Sequence, residues 1–363
     1  MPSATNSSLM RLKNEKTILS LINKAPISRA DIAKRTGLTK AAVTIITEDL
    51  LSRGIIREEK SEEAIRVGRT PILLKLCGDA LYFVGVNIKR TGIYVGICNL
   101  CGEVLSEEKF GIDLPVESLV RIAEVIRSMT KNLGLSEDKI YKISVVTPGP
   151  VDSERGVILN PPNFRSWHGV NVTERLSGSL GIPVMLSNVS TATAVSERYF
   201  GSAEKDGGFV ALLVDEGIGS GIMLGDKLFK GSCEIGHITV KFDGEKCECG
   251  NSGCLEKYAS VPNILKGSPY KSWSECVNAK DGEIMSREAE YLSSAIVTVN
   301  NIFDLERAVL CGDISENSQF FTTLVESKTR EKMILKKDFR VIGGTVKSAI
   351  LVPCAMGVYD FLS

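Results

Sequence analysis

One histidine and three cysteines constrain this chain more than any other feature. Glu234-Ile235-Gly236-His237 is followed ten residues later by Cys247-Glu248-Cys249-Gly250-Asn251-Ser252-Gly253-Cys254-Leu255-Glu256. His237, Cys247, Cys249 and Cys254 offer one imidazole and three thiolates, a donor set that suits tetrahedral zinc. Gly250 and Gly253, interleaved with the cysteines, let the backbone fold tightly around an ion. Four protein donors leave no open coordination position, so the expected zinc is structural. The alternative is a set of buried free thiols with a core histidine, although only 2 histidines occur in 363 residues. With 10 cysteines and no basic-then-apolar leader at Met1-Pro2-Ser3-Ala4, thiols and a metal are expected here in place of a disulfide scaffold. No run approaches the roughly 18 apolar residues of a membrane span. We therefore expect a cytoplasmic protein with no membrane partner.

The charges balance at 44 of each sign, but they are unevenly placed. Residues 1–77 carry 14 basic and 8 acidic residues, and the remainder carries 30 and 36. A basic head on an acidic body suggests a polyanion-binding module. Within that head, Leu9, Leu12, Ile18, Leu19, Leu21 and Ile22 recur at helical spacing. Ala25-Pro26 ends that helix. Ser28-x-x-Asp31 resembles a capping box for a short second helix, and Gly37 supplies a left-handed turn. Thr39 then caps a third helix that runs to Gly54.

Two short helices joined by a glycine turn match a helix-turn-helix. The second would present Thr39, Lys40, Ala42, Thr44 and also Thr47 to a major groove. Ala41, Val43 and Ile46 are expected to pack inward. Residues 55–57 and 72–76 read as strands of a wing, and the segment between them carries Arg66, Gly68, Arg69 and Thr70. Arg66 and Arg69 are placed to reach a minor groove or phosphates. A three-helix protein-interaction module is the alternative.

From Tyr82 onward the pattern changes. Residues 82–88, 92–99 and 103–110 are strand-like; a helical stretch at 119–133 and an apolar strand at 140–147 follow. This succession indicates an α/β layered domain. Glycine-rich turns at 215–221 and 310–313 are weak evidence for phosphate binding, because tight turns need glycine anyway.

These residues resemble the ROK family of bacterial sugar kinases and sugar-responsive repressors. The most specific matches are 234–237, 247–256, 183–197, and Asn160-Pro161-Pro162-Asn163 with Trp167. The resemblance implies an α/β chain in which a winged helix-turn-helix (residues 1–77) precedes an actin-like, RNase H-like, two-lobed ATPase-type fold (residues 78–363). Family kinases lack such a head, and family repressors carry one. By resemblance, Asn188, Glu234, His237, Glu256 and, more weakly, Asn163 would hold a sugar, with zinc fixing the loop that bears Glu234 and Glu256.

The kinase chemistry is degraded. The phosphate motif Asp-x-Gly-Gly-Thr of family kinases is replaced by Asn87-Ile88-Lys89-Arg90-Thr91. A second loop, Gly-Thr-Gly in kinases, reads Asp215-Glu216-Gly217, whose carboxylates would repel a triphosphate. Val189 stands where kinases carry the aspartate that deprotonates the sugar hydroxyl, and losing such a base costs about 10²–10⁴-fold in rate. Ser187 replaces an acid, and the stretch 260–308 is short for the family.

No catalytic residue is therefore expected. The expectation is a sugar-responsive transcriptional regulator, a repressor, that binds double-stranded operator DNA as a dimer or larger homo-oligomer. An active sugar kinase, a metal-responsive regulator and a constitutive DNA binder are the alternatives.

Overall fold

The computed structural model describes residues 3–60, 71–203, 207–316, 319–334 and 338–363. Arg66 and Arg69, the expected wing contacts, lie outside the described residues.

The first segment is three helices and a small sheet. Helix α1 spans Ser3–Lys24, strand β1 Ile27–Ser28, α2 Arg29–Thr36 and α3 Lys40–Ser52. Strands β2 (Ile56–Lys60) and β3 (Ile72–Leu76) complete a sheet of order β1-β3-β2. Helix α2 begins where Ser28 Oγ accepts the Asp31 N–H at 3.1 Å, and it stops at Gly37, whose φ is 72°. Both features satisfy backbone groups that a helix end leaves unpaired. Ile18, Leu19, Ile32, Val43, Leu50 and Leu74 fill the centre and are all but sealed from solvent. Helix α1 is longer than its apolar periodicity suggested, and its leading Leu9 and Leu12 are 62% and 50% exposed, so only the later turns face the core.

Strands β4 (Tyr82–Lys89), β5 (Gly92–Asn99) and β6 (Val104–Phe110) then form an antiparallel meander. Helix α4 (Pro115–Asn132) and strand β7 (Ile140–Thr147) follow. Short strands β8 (Val151–Asp152), β9 (Val157–Ile158) and β10 (Val170–Asn171) make a separate small sheet. Helix α5 (Val172–Leu180), strand β11 (Val184–Asn188) and helix α6 (Val189–Phe200) come next. The first large sheet has the order β11-β7-β4-β5-β6. Its central strand β4 is buried along almost its whole length, which explains a mostly apolar sequence in which Asn87 is the buried polar exception.

Strands β12 (Phe209–Val214), β13 (Ile218–Leu224) and β14 (Lys227–Leu228) open a second sheet. Helices α7 (Glu256–Ala259), α8 (Val261–Ile264), α9 (Trp273–Asn278) and α10 (Gly282–Phe303) lead to strand β15 (Arg307–Cys311). Helix α11 (Gln319–Lys332), strand β16 (Arg340–Gly343) and helix α12 (Leu351–Leu362) complete the chain. The order is β14-β13-β12-β15-β16, with β12 antiparallel to β13 and parallel to β15. Numbered within each sheet, both large sheets read 3-2-1-4-5, so one topology occurs twice.

The chain divides into two compact units. The first comprises Met1–Val145, Val172–Met185 and Pro353–Ser363. In it, α12 packs closely on the sheet: a side chain at Gly357 would meet the Phe83 ring at 2.8 Å, and Cys354 donates to the Phe83 carbonyl. Lys16 of α1 donates to the backbone carbonyls of Asp360 and Ser363, and the Asp360 carboxylate takes Lys142 and the Tyr141 hydroxyl. The second unit comprises Val146–Asn171 and Leu186–Val352. Its core gathers β12, β13 and β15 with α9, α10 and α11, and Trp273 meets Phe321 edge-on at 4.8 Å.

Candidate functional site

The four donors of the cysteine-histidine box converge. The nearest ligand atoms of His237, Cys247, Cys249 and Cys254 all lie within 4.8 Å of one another. Cys247 Sγ is 3.7 Å from His237 Nδ1, and Cys249 Sγ is 3.6 Å from Cys254 Sγ. A tetrahedral zinc with sulfur at about 2.3 Å separates its sulfurs by about 3.8 Å, so the cage matches a small tetrahedral ion.

Backbone geometry builds this cage. Val240 donates to the Gly253 carbonyl at 2.8 Å, and Cys247 donates to that of Asn251 at 2.8 Å. Gly253 has φ 70°, and a Cβ there would fall 1.6 Å from the Lys241 carbonyl oxygen, so only glycine closes the loop. The Tyr258 hydroxyl accepts the Glu245 N–H at 2.7 Å, and Lys241 lies over the Tyr258 ring. The thiols differ electrostatically. Burial pushes Cys254 up to about 12, whereas a hydrogen bond from the Asn251 backbone holds Cys249 below its ordinary value. A metal must displace the Cys254 proton, so its binding is proton-linked.

The expected sugar ligands gather around the start of β13. Glu256, the first residue of α7, accepts the Ile218 N–H through Oε2 at 2.8 Å. The carbonyl of Ile218 faces Gly236, where a Cβ would come within 2.3 Å, so the turn carrying Glu234 and His237 is pressed against the same residue. On the next residue, Gly219 has no room for a side chain because Ser190 Oγ would stand 2.6 Å away. Ser190 is in turn held by Asn188, whose Oδ1 caps α6 by accepting the Ser190 N–H at 3.0 Å and its hydroxyl at 2.9 Å.

One strand start therefore ties together Asn188, Glu256, and the turn bearing Glu234 and His237. With Oδ1 of Asn188 engaged, its Nδ2 is left facing Gly149. Asn163 is placed differently: it has a left-handed φ of 56° and shapes the turn before Arg165–Trp167. No hydrogen bond joins it to the other four among the described residues.

The sequence did not foretell what Asp215 does. Its Oδ1 accepts the Asp313 N–H at 2.6 Å, and a Cβ on Gly312 would lie 2.1 Å from that oxygen. The carboxylate is thus seated on the second glycine-rich turn. Nearby, the buried Glu197 accepts the N–H groups of Thr345 and Val346 at 3.2 and 2.9 Å. Three backbone N–H groups of these turns, those of Asp313, Thr345 and Val346, are thus bonded to the chain's own carboxylates.

The expected outer face of α3 requires two corrections. Thr47, expected on the outer face of α3, is fully buried, and its hydroxyl bonds the Thr44 carbonyl and Arg29 Nε. Ala41, expected inside, is exposed. A helix turns 100° per residue, and the core contacts fall at Val43, Ile46, Thr47 and Leu50, which sends Ala41 outward. Thr39 and Lys40 are exposed as expected, while Ala42 and Thr44 are half-buried. Thr39 Oγ1 accepts the Ala42 N–H at 3.2 Å, and Thr44 turns its hydroxyl to the Lys40 carbonyl. Sequence reasoning missed Arg29, the first residue of α2, which also pairs with Glu58 of β2 at 2.7 Å and so links α3 to the small sheet.

The ROK family model matches residues 83–347. The chain belongs to the ROK family. Relatives of this ROK protein include a xylose repressor of Caldicellulosiruptor bescii, 29% identical over 360 residues and covering 90% of this chain and 88% of the relative. Another is the DNA-binding transcriptional dual regulator NagC of Escherichia coli, 28% identical, covering 98% and 93%. Among solved structures, a ROK family transcriptional regulator, homologous to the E. coli MLC protein, superposes with a TM-score of 0.80 at 27% identity over 97% of this chain and 98% of that one. A ROK hexokinase from Thermus thermophilus matches 77% of the chain with a TM-score of 0.65 at 24% identity. The likeness to this last structure shows the fold alone: an actin-like body of two RNase H-like lobes, to which this ROK protein adds its N-terminal segment.

Proposed function

We propose that this protein is a sugar-responsive transcriptional repressor whose kinase-like body has become a sensor. The reading is supported by one chain that pairs the short capped helices α2 and α3 with Asn188, Glu256 and the turn bearing Glu234 drawn together around the start of β13. Asn188 and Glu256 are amide and carboxylate groups fixed by backbone N–H groups, Glu234 is an exposed carboxylate on the adjoining turn, and such groups can discriminate hydroxyl arrangements. Val189, next to Asn188, has no atom able to accept a proton. The relatives named as xylose and N-acetylglucosamine repressors support the same reading.

Residues 1–77 would form the DNA-reading module and residues 78–363 the sensor. Thr39, Lys40, Ala42 and Thr44 would face the major groove, and Arg66 and Arg69 the minor groove or phosphates. A structural zinc held by His237, Cys247, Cys249 and Cys254 would fix the turn that presents Glu234 and Glu256. Because helix-turn-helix proteins read paired half-sites about one helical turn apart, the active form would be a dimer or larger homo-oligomer. A sugar would then act by favouring one state of the body and changing head spacing.

The test is selection of fragments from random DNA at near-physiological salt, with and without a monosaccharide mixture, beside an assay for ADP release with the same sugars. The expected result is an enriched palindrome whose recovery changes with sugar, and no turnover. Clear turnover would overturn the loss of catalysis, and enrichment that ignores sugar would overturn the sensor.

A further inference from the structure

The cysteines outside the box divide by environment. Cys98, Cys276, Cys311 and Cys354 are buried, whereas Cys77 and Cys233 are half-buried and Cys101 is exposed. Cys77 and Cys101 meet where the winged segment joins the first large sheet. Cys77 follows β3 and donates to the Ile55 carbonyl at 2.9 Å, which prolongs the β2–β3 ladder. One residue on, the Gly78 carbonyl accepts the Leu100 N–H at 3.1 Å, so the linker is bonded to the β5–β6 turn.

That turn is rigid. Gly102 donates to the Asn99 carbonyl at 3.0 Å, and Asn99 Oδ1 accepts the N–H groups of Cys101 and Glu103 at 3.0 Å each. Each cysteine is therefore one residue beyond the bonded pair Gly78 and Leu100. A disulfide needs Cα atoms about 4.4–6.8 Å apart, and the Leu100–Gly78 bond brings the two backbone segments together within one residue of each cysteine. The electrostatics agree with this proximity. Burial raises the Cys101 thiol above its ordinary value, the charge of Cys77 raises it further, and Arg57 and Lys75 pull it down.

We propose that Cys77 and Cys101 form a reversible dithiol–disulfide pair that staples the linker of the winged segment to the β5–β6 turn. With hydrogen peroxide as oxidant, the exposed Cys101 sulfur attacks one peroxide oxygen; the O–O bond breaks, giving a sulfenic acid and water. The Cys77 sulfur then attacks Cys101, the S–O bond breaks, and the hydroxyl leaves as a second water. Two thiols lose two electrons and two protons, and the peroxide takes up both. Two equivalents of an external thiol reverse the step through a mixed disulfide.

The test treats the full-length, metal-loaded protein with hydrogen peroxide, alkylates it, and maps its peptides by mass spectrometry. We expect a peptide linking Cys77 to Cys101, two hydrogens lighter than its parts, which dithiothreitol releases. In Cys77→Ser, Cys101 should instead stop as a sulfenic acid that dimedone traps, and Cys101→Ser should leave Cys77 alkylatable. Formation should accelerate as pH rises, since the raised Cys101 thiol must ionise to attack. The proposal is overturned if wild-type Cys77 stays alkylatable after oxidation, or if Cys101 links two chains instead. Because peptides are read individually, oxidation of the box cysteines leaves the result interpretable.

Discussion

Replacing Glu256 by Gln tests the part proposed for its carboxylate in effector recognition. Oε2 is already committed to the Ile218 N–H at 2.8 Å, and Gly217 makes room for it there, since a Cβ at that position would stand 2.7 Å from the same oxygen. In Glu256→Gln the amide oxygen takes over that bond, so the backbone at the start of β13 keeps its partner. The other oxygen becomes an NH₂ group, and an acceptor for a sugar hydroxyl becomes a donor. A hydrogen bond to a charged group is worth about 1.5–3 kcal/mol. At about 1.4 kcal/mol per decade, the affinity for the effector should fall roughly 10- to 150-fold.

The assay titrates monosaccharide against a fixed complex of protein and operator fragment and follows DNA binding by fluorescence anisotropy. The expected variant binds the operator normally without sugar, melts within a degree or two of the parent, and needs the larger sugar dose. A sugar midpoint within twofold of the parent would refute the assignment of Glu256. A lost operator affinity would show instead that Glu256 supports the fold.

Glu288 is fully buried in α10 with no partner on either carboxylate oxygen among the described residues, and burial raises its pKa well above the ordinary range. The unfolded chain ionises this group near pH 4.3, so its penalty on stability sets in above that pH and grows until the folded-state value is reached. Glu288→Met should therefore raise the melting temperature, more at pH 8 than at pH 5. The gain from removing an unpaired buried polar group is about 1–3 kcal/mol, and an equal gain at both pH values would contradict a neutral Glu288. Thr39→Ala removes the cap of α3, which should cost about 0.5–2 kcal/mol of head stability in thermal melts. Lys40→Ala and Arg69→Ala should weaken operator binding and each reduce the salt slope by about one, with sugar affinity unchanged by calorimetry. Elemental analysis should find one zinc per chain, and Cys254→Ser should lose it together with the sugar response, while operator binding without sugar persists.

Much of the head was legible because its signals are local. Ser28, Asp31, Gly37 and Thr39 act within three or four residues of their partners, so the short helices follow from the sequence alone. Strands 92–99 and 140–147 were legible for the same reason, as short runs rich in apolar and β-branched residues. The metal box was legible because its four donors fall within 18 residues.

What escaped depends on partners distant in sequence. Periodicity marks Leu9 and Leu12 as apolar but does not say where the core ends along α1. Thr47 is drawn inward by Arg29, on another helix, and nothing in its own neighbourhood announces that. Asp215 reads as a repulsive carboxylate, yet it binds an amide 98 residues away. The repeated sheet order depends on pairings such as Phe209 with Arg307, which no local pattern encodes.

The placement of α12 also bears on how the chain is made. The N-terminal segment is continuous in sequence, so Ile18, Leu19, Ile32, Val43, Leu50 and Leu74 are all available to one another early in synthesis. The sheet of β4 and β7 cannot finish then, because Phe83 and Tyr141 pack on Phe361, and Cys354 reaches Phe83 across 271 residues. Until α12 emerges, one face of that sheet stays uncovered while the whole second unit is synthesised. Apolar sheet surface exposed for so long invites association with other chains. Gly357 and the small residues around it let the late helix dock closely once it arrives. Synthesis therefore leaves an interval in which the β4–β7 sheet, and the Lys16 ammonium of α1, still lack the helix that completes them.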